Sequence, residues 1–359
     1  MINLNVAERF AEIDPEGMLT HAVNLPQTCA DAWKLAQRTI PQFNLPASFK
    51  QVQRIVVTGM GGSAIGGDLL AALVAEECPC PIYVQRGYDL PAFVQDPTTL
   101  VIGASYSGNT EETLSAFAQA HERGALLLAL TTGGEIGRLA AEWGAPVLCF
   151  DYKSQPRAAL GYSLIPLLNL LGHLGLVSDK ADDLAEAMSV MRDWQTEIAP
   201  QVPVAHNPAK QLAEELMGRL PIIYGAGLIK PVARRWKTQI NENSKAWAFF
   251  EELPELNHNA VVAFEKSEKM RERATVIILR SHYDAPRIQA RCRITHQMLL
   301  NEGLPSKQVE ARGQSRLAQM LSLIHFGDLV SVYLALANGI DPTPVPSIAY
   351  LKQQLAQIQ

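Results

Sequence analysis

Short apolar runs bounded by turn-forming residues mark the first part of the chain. Ile55–Thr58 and Leu100–Ile102 are two such runs, and β-branched residues are frequent in both. Runs that are apolar throughout, rather than alternating with polar residues, are typical of strands covered on both faces of a parallel sheet. We therefore predict that both segments are buried parallel strands.

Strand-like and helix-like segments alternate between residues 55 and 150. The predicted strands are Ile55–Thr58, Pro81–Val84, Leu100–Gly103, Leu126–Leu130 and Pro146–Phe150. The predicted helices are Asp68–Ala75, Glu111–Arg123 and Arg138–Trp143. This alternation indicates a doubly wound parallel sheet with helices on both faces.

The second half of the chain repeats this pattern with less regularity. Its predicted strands are Pro221–Tyr224, Ala274–Leu279 and Ser306–Glu310. Its predicted helices are Ile229–Lys245, Ala285–Asn301 and Leu317–Asn338. Before the first strand, Asp31–Thr39 is a predicted helix followed by helix-breaking prolines. We predict an α/β fold in three parts: an N-terminal helical extension over residues 1–50, a first α/β domain with connecting helices over 51–198, and a second α/β domain over 199–359.

The composition limits the classes of partner. The 359 residues are 48% hydrophobic and carry a formal net charge of −5, which gives no general attraction to nucleic acid. The most apolar segment, residues 164–176, contains a proline, an asparagine and a histidine, and it is shorter than the roughly 20 residues of a membrane span. We therefore expect no nucleic-acid partner and no membrane partner, and we predict a buried core helix there.

The cysteines do not form a recognisable disulfide or zinc pattern. There are five of them, and Cys78 and Cys80 are the only close pair; one intervening residue is not a usual spacing for zinc ligands. The first residues do not have the pattern of a secretory leader. We expect reduced thiols, a cytoplasmic location, no metal and no other cofactor.

Two glycine- and hydroxyl-rich turns follow neighbouring predicted strands. Gly59–Ser63 follows the first apolar run, and Ser105–Thr110 follows the second. Backbone N–H groups at a helix N-terminus attract an anion, and such sheets bind ligands at the carboxyl ends of their strands. We therefore predict a phosphate site here. Its candidate residues are Gly61, Gly62, Ser63, Ser105, Ser107 and Thr110.

Other interpretations of these turns stay open. Glycine can follow a strand only because the chain must turn, and serine or threonine often caps a helix. Gly59, Gly61 and Ala64 also fit the loose Gly-x-Gly-x-x-Ala fingerprint of a dinucleotide site. The next strand ends in Gln85-Arg86 instead of a ribose-binding acid, although Arg86 would suit the 2′-phosphate of NADP. A cap explains one hydroxyl and not three, so phosphate is the preferred ligand.

Five motifs resemble those of bifunctional phosphoglucose/phosphomannose isomerases, and they occur in the order of that family. They are Gly59-Met-Gly-Gly-Ser63, Ser105-Tyr-Ser-Gly-Asn-Thr110, Pro156-Arg-Ala-Ala-Leu160, Asn241-Glu-Asn-Ser-Lys245 and Pro254-Glu-Leu-Asn-His-Asn259. The resemblance extends from the first strand to Gly339–Pro344. It implies two flavodoxin-like sugar isomerase (SIS) domains, a homodimer, and interconversion of glucose 6-phosphate or mannose 6-phosphate with fructose 6-phosphate.

The resemblance also implies roles for three residues. Glu242 matches the family's catalytic glutamate, which moves a proton between C2 and C1 of the open-chain sugar. Arg157 matches the arginine that stabilises the enediolate, and His258 matches the ring-opening histidine, which the partner subunit supplies. Structural alternatives are ion pairs for Glu242 and Arg157 and a solvated or capping role for His258. We expect the amides of Asn241 and Asn243 to orient Glu242.

One position departs from the family pattern. Archaeal members place a lysine in the C-terminal helix, where this chain has Ser331-Val-Tyr333-Leu. Tyr333 is therefore a candidate ring-opening or substrate-contacting residue, although a tyrosine carries no positive charge near neutral pH. Two rival functions stay open: a non-catalytic sugar-phosphate-binding protein and an NADP-dependent oxidoreductase. The sequence before the first sheet lacks a basic helix-turn-helix pattern, which disfavours a DNA-binding sensor.

Overall fold

The N-terminal segment is helical, as predicted. It contains α1 (Met18–Val23) and α2 (Leu25–Thr39) in the computed structural model, which describes residues 3–266 and 268–358. The Asp14 carboxylate accepts hydrogen bonds from the first two N–H groups of α1 and so caps it. Helix α2 begins six residues before the predicted start, because Pro26 occupies a first-turn position that suits proline.

Five parallel strands form the first sheet, and each of them was predicted. They are β1 (Arg54–Thr58), β2 (Ile82–Gln85), β3 (Thr99–Ser105), β4 (Leu126–Thr131) and β5 (Val147–Cys149). Their spatial order is β2-β1-β3-β4-β5. After β1 the chain adds β2 on one side of it and then β3 on the other side, so the order of strand addition reverses there. Open α/β sheets bind ligands at such a switch point. Both glycine- and hydroxyl-rich turns lie there.

Three helices cover the first sheet: α3 (Gly61–Leu73), α4 (Glu111–Glu122) and α5 (Gly134–Glu142). Helix α3 begins seven residues before its predicted start, because glycine has a low helix propensity and hides the first two turns from sequence patterns. Those glycines allow close packing: a Cβ atom at Gly67 would lie 3.0 Å from the Cβ of Val57 in β1.

Three further helices connect the two halves: α6 (Leu160–His173), α7 (Ala181–Ile198) and α8 (Pro208–Leu216). Most of α6 is buried, which confirms the predicted core helix in this apolar segment. Helix α6 packs on α2 and α3, so the N-terminal extension lies against the first sheet's helical layer.

The second sheet contains four parallel strands, β6 (Leu220–Ala226), β7 (Phe249–Leu253), β8 (Ala274–Arg280) and β9 (Ser306–Glu310). Their order is β7-β6-β8-β9, so the second and third strands to be added lie on opposite sides of β6, and this sheet has a switch point too. The sequence did not predict β7. It is a half-exposed edge strand with two glutamates, and it therefore lacks the continuous apolar run that marks a buried strand.

Four helices complete the second half: α9 (Lys230–Ser244), α10 (Pro286–Asn301), α11 (Arg316–Ala337) and α12 (Pro346–Leu355). Helix α11 buries every residue from Leu317 to Ala337 and packs on α7, α8 and α9. It is long and apolar enough to cross a membrane, but its apolar stretch is wholly covered by the rest of the protein. One hydrophobic cluster contains residues of both halves, and the division at residues 50 and 198 stays a prediction.

Candidate active site

The first predicted turn lies at the start of α3, beside the second turn. Gly61 adopts a left-handed φ of 49°, which glycine tolerates without steric cost. The hydroxyl oxygen of Ser63, in the first turn of α3, accepts a hydrogen bond from the N–H of Tyr106 at 3.1 Å. The structure therefore brings Gly61, Gly62 and Ser63 together with the segment that follows β3.

The second turn holds its own hydroxyl groups by local hydrogen bonds. Ser105 Oγ lies 2.9 Å from Thr110 Oγ1 and accepts from the N–H of Gly108 at 3.1 Å. Ser107 Oγ accepts from the N–H of Asn109 at 3.2 Å. Helix α4 begins at the residue after Thr110, so this cluster lies at a helix N-terminus.

These hydroxyl groups have the chemistry of an anion site. A serine that accepts a backbone hydrogen bond keeps its own O–H group for donation. Ser63 and Ser107 each accept in this way, and only one O–H group is used between Ser105 and Thr110. Together with the unsatisfied N–H groups at the start of two helices, they offer several donors to a phosphate.

Arg157 is buried and is held by several acceptors of the protein. Its side chain is 2% exposed, and Nη2 donates to the carbonyl oxygens of Pro342 and Thr343, both at 2.8 Å. Nε donates to Asn243 Oδ1 at 2.6 Å. Burial lowers the pKa of this guanidinium from its ordinary value, while Glu242 opposes that shift. A surface ion pair, the structural alternative for Arg157, is therefore wrong.

Glu242 faces this guanidinium from α9. Its Oε2 lies 3.4 Å from Arg157 Nη1, and the side chain is 26% exposed, so the carboxylate remains open to a ligand. The flanking amides do not orient it as expected. Asn241 Nδ2 donates to the carbonyl of Ala246, and Asn243 bridges Arg157 and Ser331. The amide of Asn243 therefore orients the arginine, because it lies on the side of α9 that faces α11.

Gly62, in the first glycine- and hydroxyl-rich turn, packs against the backbone at Arg157. A Cβ atom at Gly62 would lie 2.7 Å from the carbonyl oxygen of Pro156 and 2.9 Å from the backbone nitrogen of Arg157. Only glycine permits this approach. The first turn of α3 therefore packs against the backbone of Arg157, whose side chain reaches the Glu242 carboxylate.

His258 is exposed and lies after β7, at the end of the short helical turn Glu255–His258. Within residues 3–266 and 268–358, no hydrogen bond or ion pair joins its imidazole to Arg157 or Glu242. Within one chain, His258 is therefore not brought to Arg157 and Glu242.

Tyr333 lies away from this group. It is fully buried in α11, and its hydroxyl donates to the carbonyl of Ile198 at 2.7 Å. Lys210 covers its ring, with Nζ 5.5 Å from the ring centroid. This placement corrects the candidate role: a side chain enclosed between helices in this way has no open atom to contact a substrate. Its structural role is to join α11 to the end of α7.

Sequence patterns missed a buried ion pair behind the site. Arg235 Nη2 lies 2.6 Å from Asp328 Oδ2 and also donates to the carbonyl of Arg157 at 3.0 Å. Asp328 is the only acid in α11, and a lone carboxylate in an apolar helix is the signal that would have indicated a buried partner. This pair fixes the backbone of Arg157.

The oxidoreductase alternative loses its main support. Arg86 uses Nη1 and Nη2 to bind the carboxylate of Asp68, at 3.2 and 2.5 Å. Asp68 also binds Arg234 at 3.3 Å, so the two arginines share one acid. Arg86 therefore ties β2 to α3 and is not free for a nucleotide 2′-phosphate.

Possible metal ligands and the cysteine thiols bear on the expected absence of a metal and of disulfides. Among residues 3–266 and 268–358, no group of three or more His, Cys, Asp or Glu side chains is placed to hold a metal ion. All five cysteines are free thiols, and burial raises the pKa of Cys29 to about 12. Such a thiol is protonated and unreactive at neutral pH.

Two family models match the chain. A model described as the bacterial phospho-glucose isomerase C-terminal SIS domain matches residues 205–355, and a SIS domain model matches residues 48–143. A hypothetical protein from Thermus thermophilus has a related structure, with a TM-score of 0.75, 15% identity and coverage of 98% of this chain and 93% of that one. At that identity the likeness shows the fold alone.

Relatives with closer sequences are named bifunctional phosphoglucose/phosphomannose isomerases. One from Caldicellulosiruptor bescii is 42% identical over 343 residues, which cover 95% of this chain and 100% of the relative. Another from Aquifex aeolicus is 37% identical over 302 residues, covering 84% of this chain and 90% of the relative. These similarities confirm the resemblance seen in the five motifs, and the chain belongs to the family of bifunctional phosphoglucose/phosphomannose isomerases.

Proposed function

We propose that this chain interconverts glucose 6-phosphate and mannose 6-phosphate with fructose 6-phosphate through a cis-enediolate. One observation carries the proposal: the Glu242 carboxylate and the buried Arg157 guanidinium meet at 3.4 Å, next to a hydroxyl-lined turn that suits a phosphate. The family's name supports the same substrates. A non-catalytic sugar-phosphate-binding protein would not need this pair.

The reaction needs one base that serves two neighbouring carbons. In the open-chain aldose, a proton leaves C2 and returns to C1, and the charge that develops rests on the two sugar oxygens. Glu242 is the base in this proposal, because a carboxylate can use either oxygen to take and return the proton. Arg157 stabilises the enediolate, because the attraction between a buried guanidinium and a negative charge is strong where water does not screen it.

The sugar phosphate is held at its other end. Ser63, Ser105, Ser107 and Thr110 donate to the phosphate oxygens, and the N–H groups of Gly61 and Gly62 complete the cradle. Anchoring the phosphate fixes the distance to the reacting carbons, which turns binding energy into orientation. The two epimers carry the C2 hydrogen on opposite faces, so acting on both requires a site that permits rotation about the C2–C3 bond. Removal of the C2 proton from either epimer then gives the same enediol.

Ring opening and the dimer are linked in this proposal. His258 transfers the proton that opens the sugar ring, and it does so in the site of a partner subunit in a homodimer. Trp247 is 76% exposed and Phe249 is 46% exposed, near the edge strand that precedes His258. Exposed aromatic side chains at an unpaired sheet edge support a protein interface at this place.

Mixing two inactive variants tests this arrangement. Dimers that contain one Glu242→Gln chain and one His258→Asn chain are expected to recover one of their two active sites, because the intact glutamate and the intact histidine then meet across the interface. The measurement is turnover of fructose 6-phosphate after the chains are exchanged. If the mixture is no more active than its two parents, both residues act within one chain and the shared site is wrong.

The activity itself is tested with purified chain in excess EDTA. We expect conversion of both glucose 6-phosphate and mannose 6-phosphate to fructose 6-phosphate, since Arg157 supplies the positive charge that the enediolate needs. Glucose and mannose without phosphate are the controls for the anchoring turns. Turnover that depends on added metal contradicts the mechanism, and tight binding of hexose phosphate without turnover would favour the non-catalytic alternative. The free thiols are consistent with the cytoplasm as the place of action.

A further inference from the structure

Lys245 ends α9 three residues after Glu242 and folds back over the helix terminus. Its Nζ donates to the carbonyl oxygens of Glu242 and Pro342, both at 2.7 Å. The third contact, to the carbonyl of Asn243, is 3.4 Å long. One of the three N–H groups of the ammonium is therefore weakly engaged.

Two cations share one acceptor at this point. The carbonyl of Pro342 accepts from Lys245 Nζ at 2.7 Å and from Arg157 Nη2 at 2.8 Å. The ammonium is therefore next to the guanidinium that contacts Glu242. The two like charges repel each other, and the Glu242 carboxylate, 3.4 Å from the guanidinium, offsets part of this repulsion.

Three charged residues and partial burial set the pKa of the Lys245 ammonium. Burial, together with the positive charge of Arg157, lowers its pKa to about 8, while Asp341 and Glu242 oppose the shift. The lysine as a whole is exposed, while its ammonium is partly buried where it contacts the carbonyl groups of Asn243 and Pro342. An oxygen that acquires negative charge beside Glu242 would be attracted by both cations.

The backbone at Lys245 is unusual for a lysine. Its φ is 53° and its ψ is 26°, the left-handed conformation in which helices commonly end on glycine. For a residue with a Cβ atom this conformation is sterically unfavourable. A glycine would end the helix without that cost, so the lysine side chain offers something besides the turn.

We propose that Lys245 is a further catalytic residue of this site, and that its ammonium donates a hydrogen bond to the substrate oxygen on which negative charge develops. The donor is the N–H group that now makes the long contact to Asn243. Lys245 keeps its proton throughout, so Glu242 remains the base. This inference rests on the proposed isomerase function, because it needs an enediolate in the site.

The test replaces Lys245 by glycine, which suits the left-handed turn and leaves a space shaped like the missing side chain. Lys245→Gly is expected to lower kcat by about 100-fold, the usual cost of one oxyanion donor, while KM changes little. n-Butylammonium, which has the chain length of the lysine side chain, is expected to restore part of kcat in a saturable way. Lys230→Met, at the exposed start of the same helix, is the matched control and should keep wild-type kcat.

The pH profile separates catalysis from a structural clamp. Wild-type kcat/KM is expected to fall as the pH rises through about 8, because the ammonium loses its proton there. Lys245→Gly should lack this decline. If Lys245→Gly does not fold, Lys245→Asn replaces it, since asparagine also tolerates the left-handed conformation.

Three results would overturn the inference: a loss in kcat of less than tenfold, no rescue by n-butylammonium, or an unchanged decline near pH 8 in the variant. Each concerns the variant alone. Failure of the proposed function is seen separately, because wild-type protein would then not turn over either hexose phosphate.

Discussion

Glu242→Gln is expected to lower kcat on the order of 10⁴-fold, the upper end of what a positioned base contributes. The amide has nearly the same shape as the carboxylate and can still accept from Arg157 Nη1, but it cannot take the C2 proton. Substrate binding should change little, because the proposal assigns the phosphate to other residues. Turnover of fructose 6-phosphate and exchange of its C1 proton with deuterated water measure the two parts of the effect.

A matched control keeps this result specific. Glu142 lies on the exposed face of α5 and pairs with Arg138 at the surface, so Glu142→Gln should keep wild-type turnover. If Glu242→Gln retains more than about a tenth of wild-type kcat, a different group removes the proton and the assignment of the base is wrong.

Asp328→Ala is expected to destabilise the protein by about 3–5 kcal/mol, the usual cost of leaving one partner of a buried ion pair unpaired. Asp328 is 5% exposed and accepts from Nε and Nη2 of Arg235, at 3.1 and 2.6 Å. The same arginine holds the carbonyl of Arg157, so turnover should fall as well. Urea unfolding of wild type and variant gives the difference in the free energy of unfolding.

The control is a double replacement. Arg235→Met with Asp328→Leu removes both charges and refills the space with apolar side chains, so it should cost less stability than Asp328→Ala alone. It should still impair turnover, because the carbonyl of Arg157 loses its donor. A single variant destabilised by less than about 1 kcal/mol, or a double variant less stable than the single one, would show that removing Asp328 does not leave a costly unpaired charge on Arg235.

The first sheet could be predicted from the sequence because its signals are local. Each strand is a continuous apolar run, and each run is followed by turn residues. The exceptions have physical causes: β7 is a half-exposed edge strand without such a run, and the glycines of α3 hide its first turns. Both exceptions lie in or beside segments that carry site residues, where chemistry competes with regular patterning.

The candidate site also combines local features, which the sequence shows, with contacts between residues far apart along the chain. The positions of the two glycine- and hydroxyl-rich turns could be predicted because their residues are close in sequence, and their role as a phosphate site stays a prediction. Arg157 and Glu242 entered only through the family resemblance, because the residues that hold Arg157 are 86 to 186 positions away along the chain. Asp328 was missed for that reason, and Tyr333 was misplaced because its burial depends on how α11 packs.

A structure with fructose 6-phosphate bound tests the central claim most directly. The proposal predicts the phosphate on Ser63, Ser105, Ser107 and Thr110, with C1 and C2 of the sugar near the Glu242 carboxylate and their oxygens facing Arg157. A phosphate bound away from those hydroxyl groups, or a Glu242 carboxylate out of reach of both carbons, would contradict it.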